Sequence, residues 1–174
     1  MRIRAAAGVL ALAATITAPA VQAAQRETTQ VRGGWVNDIS FIPTSATPTS
    51  DPEVFKVDFT GGSLWDGDFT GRTVVHGTAL MNITTGALTG TYTETFYGTY
   101  VPDGRTGSFT TRGTATSTEH LTFFARARIV SGTCGFAGST GQLAYDGLSV
   151  HGGYVGRWAH PRTPPSSEPC LPMP

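Results

Sequence analysis

Along most of this sequence the side chains change character at every second residue, and beyond residue 24 no apolar stripe of period 3.6 persists. In Glu53–Thr60, Phe55, Val57 and Phe59 share one face while Val54, Lys56 and Asp58 share the other. From Phe69 to Ile83 the odd positions are mostly apolar or small (Phe69, Thr73, Val75, Gly77, Ala79, Met81, Ile83), and the even ones include Arg72, His76, Thr78 and Asn82. Leu121–Val130 repeats the pattern, with Leu121, Phe123, Ala125, Ala127 and Ile129 opposed to Thr122, Phe124, Arg126 and Arg128. A period of two places alternate residues on opposite faces of an extended strand, so the chain reads as all-β.

Further strands are expected in Gln30–Ile42, Leu88–Val101, Ser108–Thr118, Leu143–Val150 and Gly153–Ala159. "TTGA" and "PDGR" are short turns, and "PTSATPTSDP" reads as a loop after the first strand. Seven or eight strands joined in this way are best satisfied by closure, which leaves no exposed sheet edge. A single closed antiparallel β-barrel of about eight strands is therefore expected, with a two-sheet sandwich as the alternative. Its core is placed at 53–160, with residues 24–52 as an N-terminal strand and Pro/Thr-rich loop.

Both ends of the chain read differently. A basic start, an uncharged apolar run and small residues up to Ala23 form a signal-peptide pattern, so 1–23 is expected to be removed on export. The run is short for a bilayer span, and no later stretch is apolar enough for one. Residues 161–174 form a Pro-rich tail. Cys134 and Cys170 are the two cysteines, and in an oxidising compartment such a pair forms a disulfide that ties the tail down. Closing that loop stabilises by roughly 3–4 kcal/mol in the chain-entropy picture. The four histidines show no paired ligand spacing, so neither metal nor cofactor is expected. Twelve basic residues balance twelve acidic ones, and loss of Arg2 and Arg4 with the leader leaves a slightly acidic protein. That balance gives no stripe suited to gripping nucleic acid.

The stretch "YTETFYG", Tyr92–Gly98, carries the chemical interest. By parity Tyr92, Glu94 and Phe96 face inward, and Glu94 is the acid that falls among the apolar residues. A carboxylate desolvated there has its pKa raised, which suits a general acid or base in a small apolar pocket. The opposing reading is a structural acid bonded to a tyrosine, to Arg105 or to a backbone amide. Tyr92, Phe96, Tyr100, Phe109 and Phe123 are the expected ligand-facing rings, with Tyr92 or Tyr100 orienting a ligand oxygen.

Other motifs read as structural. The glycine-rich Ser131–Gly141 loop lacks the lysine of a phosphate cradle and is expected to turn tightly and seat Phe136 over one barrel end. Trp35, Trp65 and Trp158 are expected to pack. Asp66 and Asp68 are too few ligands for calcium.

Two stretches, "ETFYGTYVPDGRTGSFTTRG" and "SGTCGFAGSTG", resemble a family of small bacterial proteins grouped with the allene oxide cyclase-like barrels. The resemblance rests on Glu94, Phe96 and Gly98, on Gly104, Arg105, Gly107, Ser108 and Phe109, and on Ser131, Gly132, Thr133, Phe136, Ala137, Gly138 and Gly141. It spans about 55–158 and departs at Thr106, where the family has Ser, and at Cys134, where it has Gly. Plant dirigent proteins are more distantly similar. The resemblance implies an eight-stranded antiparallel barrel with an apolar lumen, in a superfamily that closes epoxide rings or steers radical coupling. Three functions stay open: a secreted barrel holding a small apolar molecule, an isomerase or cyclase using Glu94 as acid–base, and a non-catalytic envelope or interaction protein that presents its outward Thr and Arg side chains.

Overall fold

The structure, a computed structural model, describes residues 25–118 and 122–162; residues 1–24, residues 119–121, with Leu121, and residues 163–174, with Cys170, lie outside them. Eight strands follow one another: β1 (Arg26–Pro48), β2 (Val54–Gly67), β3 (Phe69–Asn82), β4 (Leu88–Tyr100), β5 (Arg105–Ser117), β6 (Thr122–Cys134), β7 (Thr140–Leu148) and β8 (His151–Pro161). Each pairs antiparallel with the next, and β1 closes onto β8 from Arg26↔Pro161 to Val36↔His151, giving a closed barrel. The sandwich alternative is thereby excluded.

The first strand differs most from expectation. β1 runs 23 residues, through most of the segment read as a loop, and is a full stave of the barrel. Its outer half pairs only with β2, through register shifts between Asn37 and Ile39, Ile39 and Ile42, and Pro43 and Ser45. Bulges of this kind let prolines and polar residues sit in a strand whose other edge is unpaired. Past Val36, β1 parts from β8 and is held to the β7–β8 turn by the Asn37 amide on Val150 O (2.9 Å) and Asn37 Nδ2 on Ser149 O (2.8 Å).

Alternation then decides what fills the interior. Phe69, Phe96, Tyr100, Phe109, Phe136, Tyr154 and Trp158 pack together in the half of the barrel that carries the 101–104 and 135–139 turns. Phe96 stacks on Phe109 (4.8 Å), and Tyr100 meets Trp158 edge-on (4.4 Å). Phe136 is fully buried against this cluster, as the glycine-rich loop leads one to expect. Arg105 caps it: its guanidinium pairs with Asp103, bonds Pro161 O (3.3 Å) and lies 5.1 Å from the Trp158 ring. An eight-stranded barrel is just wide enough for side chains to fill, and here they fill one half.

Gly98 is required by this packing. A Cβ there would stand 2.6 Å from Phe96 Cζ and 2.3 Å from Thr70 O, so Glu-x-Phe-x-Gly encodes two inward side chains and the space the second one needs. Gly67, at φ +106°, closes the β2–β3 turn where a Cβ would strike Gly33 Cα at 2.6 Å.

Candidate functional site

The other half of the barrel is not filled. A cavity of about 160 Å³ lies there, open on one side and lined by residues of β1 to β7 and by Ser149 of the β7–β8 turn. Its walls are mainly Trp35, Phe41, Phe59, Val75, Leu88 and Phe123. Phe41 and Phe59 stack at 4.6 Å, and Trp35 meets Phe123 edge-on at 5.4 Å. Trp65 forms the partition: it contacts Phe69, Phe96 and Phe109 in the packed half, touches the Tyr145 ring at 5.8 Å, and still lines the cavity.

Beside that partition sits Glu94, 5% exposed. Tyr145, from β7 across the lumen, donates its hydroxyl hydrogen to Glu94 Oε2 at 2.9 Å. The Thr73 hydroxyl, which accepts from the Ser63 amide (3.1 Å), also turns toward the carboxyl group. Burial dominates these favourable contacts and pushes the Glu94 pKa up to about 7. Tyr92 and Tyr145 are likewise raised, by burial first and then by the adjacent carboxyl group. Thr111 Oγ1 is buried near the Tyr145 phenol without a well-formed hydrogen bond. Polar chemistry in the lumen thus centres on Glu94, Tyr145 and Tyr92, with Ser63, Asn37 and Ser149 nearer the mouth.

Of the residues expected to face a ligand, the structure brings Tyr92, Glu94 and Phe123 to the cavity wall. It places Phe96, Tyr100 and Phe109 in the packed half, a correction to the expected lining. The reason is position along the strand: inward residues of β4 and β5 near the 101–104 turn lie under Phe136 and Trp158. Tyr100 does not line the cavity, and the phenol that meets Glu94 there is that of Tyr145. Arg105, one expected partner of Glu94, is at the capped end. Sequence reasoning misses Tyr145, although its parity with Leu143 marks it as inward.

The remaining candidates have structural surroundings. Asp66 Oδ1 accepts from the Gly34 amide (3.2 Å) and Asp68 Oδ2 from the Arg32 amide (2.8 Å), tying β1 to the β2–β3 turn. His160 is buried against Trp158 with ring centroids 4.0 Å apart. Cys134 has φ +52°, a left-handed conformation that glycine adopts more readily than other residues. Its expected partner, Cys170, lies outside the described residues.

Fold and cavity together define a small closed β-barrel that is filled at one end and hollow at the other. Among solved structures, the chain is similar to the crystal structure of a protein of unknown function from the DUF3224 family of Shewanella oneidensis MR-1. That match has a TM-score of 0.59 and 21% identity, and covers 76% of this chain and 97% of the other. At that identity the likeness concerns the fold. No family model and no curated relative matches the chain.

Proposed function

We propose that this protein is an exported barrel that holds one small, mostly apolar molecule in the open half of its lumen. The observation that carries the reading is the aromatic cavity with a single carboxyl group at its inner wall. Size narrows the ligand. An apolar protein cavity of about 150 Å³ accepts benzene, so the enclosed part of the ligand is a single ring or a short branched chain. A longer molecule would extend through the mouth. Glu94 and Tyr145 favour a ligand bearing one oxygen, which would accept a hydrogen bond from the neutral acid or lie against the phenol. The leader and the cysteine pair support export, and a Cys134–Cys170 disulfide would fasten the tail beside the capped end.

A second reading, acid–base isomerisation or cyclisation at the same place, draws on the Glu94 pKa of about 7, which allows the group to take and return a proton near neutrality.

The test uses Trp35 and Trp65, which line the cavity, as reporters. Titration with cyclohexanone, phenol and benzene is expected to change tryptophan emission saturably in the parent. Ala115→Phe, which fills the cavity from β5, should abolish the change while the fold persists. A parent that gives no saturable change with any of the three would remove the ligand-binding reading. For the catalytic reading, Glu94→Gln must lose turnover of epoxide or polyene candidates; equal turnover in both proteins rejects it.

A further inference from the structure

One row of side chains crosses the outer wall at right angles to the strands. Reading along the paired residues, it runs Arg112 on β5, Arg128 on β6, Gln142 on β7, Arg157 on β8 and Gln30 on β1. Arg126 stands one rung away, opposite Thr114. With strands about 4.8 Å apart, the row spans about 20 Å. These side chains border a shallow trough whose floor is strand backbone around Gly113, Gly141 and Gly156.

Among the described residues the charge there has no ion-pair partner. Arg112 and Arg128 are direct cross-strand neighbours, and like charges so placed repel. Among the described residues the arginines that make ion pairs are Arg72 and Arg105; Arg112, Arg126, Arg128 and Arg157 make none. Gln30, with its amide oriented to donate to Gly156 O (3.1 Å), accepts from Arg157 Nε (3.2 Å), which steadies that guanidinium without engaging its terminal nitrogens. The chain as a whole carries equal numbers of acidic and basic residues, so the patch does not follow from general basicity. A fold that keeps four unneutralised guanidinium groups around one trough gains most from an external anion.

We propose that this trough is a docking site for a linear acidic polysaccharide, its carboxylates on the arginines and its hydroxyl groups on Gln142, Gln30 and Thr114. Bidentate guanidinium–carboxylate pairing suits Arg rather than Lys. The trough lining contains no aromatic ring on which a base would stack, which disfavours single-stranded nucleic acid. A recessed floor bordered by long polar side chains suits a chain lying across the strands better than a flat lipid surface.

The experiment immobilises polygalacturonate and passes the whole protein over it at low salt, with dextran, single-stranded DNA and phosphatidylglycerol vesicles as the other arms. The parent should bind polygalacturonate, not dextran, and be released by raised salt, because the contacts are ionic. Arg128→Gln with Arg157→Gln should weaken binding at least tenfold at an unchanged melting temperature. Arg72→Gln, on another face and paired with Asp38, should leave it unchanged. Three results each overturn the proposal: no retention of the parent, equal retention of the double variant, or tighter binding to DNA or vesicles than to polygalacturonate.

Discussion

Replacing Glu94 by glutamine tests the site through stability, independently of any ligand. Burial raises the Glu94 pKa from an ordinary 4.5 to about 7. At ~1.36 kcal/mol per tenfold change in proton affinity, that rise corresponds to about 3 kcal/mol. Between pH 4.5 and 7 the folded protein retains the proton while the unfolded chain has lost it, so stability falls as pH rises. The contribution is fully present below about 4.5 and gone above about 7. The substituted glutamine side chain cannot ionise, and its carbonyl can accept the Tyr145 hydrogen bond. Glu94→Gln should therefore match the parent near pH 4.5 and exceed it by up to about 3 kcal/mol at pH 8. Urea unfolding of both proteins at half-unit steps of pH gives the difference directly. Asp58, lowered by hydrogen bonds from Thr78 and Ser45, and Asp103, where bonds to Arg105 outweigh burial, are present in both proteins, so their acid sensitivity largely cancels. A difference that stays flat from pH 4.5 to 8 would show that Glu94 is solvated or already ionised, and the account of the lumen would fail.

Tyr145→Phe removes a hydrogen bond that favours the Glu94 carboxylate, so the pH at which parent and glutamine variant diverge should end higher; a carboxyl-labelled NMR titration reads it. Phe109→Ala should cost about 3–5 kcal/mol in urea unfolding, because the ring is 1% exposed in the packed half and little can collapse around it. Gly98→Ala should destabilise by roughly 1–3 kcal/mol, since its methyl group must displace Phe96 or the Thr70 carbonyl. Mass spectrometry of the exported protein should find no alkylatable thiol, and reduction should remove roughly 3–4 kcal/mol of stability in urea unfolding; two alkylated cysteines would rule out the bond.

Much of this arrangement is local enough to read from residue order. Alternation in 54–60, 69–82 and 122–130 gives strands and says which side chains turn inward, because each residue's face depends only on its neighbours' extended backbone. That rule alone places Glu94 and Tyr92 in the lumen, and the glycine-rich loop places Phe136 at a barrel end. β1 is only partly legible: its prolines and bulges break the period of two, and its course through Pro48 depends on β2 supplying the ladder.

Depth along the axis is beyond the reach of parity. Phe96 and Glu94 share a face and stand two residues apart, yet one belongs to the packed half and the other to the cavity wall. The boundary is drawn by Trp65, Phe136 and Trp158, which arrive from distant strands and a loop. The Tyr145–Glu94 hydrogen bond likewise joins residues 51 apart across the lumen, and the arginine row takes one member from each of several strands. Sequence order determined which side of the wall each residue occupies, since that is a property of one strand. Only closure decided the height at which opposite strands meet, because register between strands is fixed by the whole ring of hydrogen bonds and by what its interior can hold.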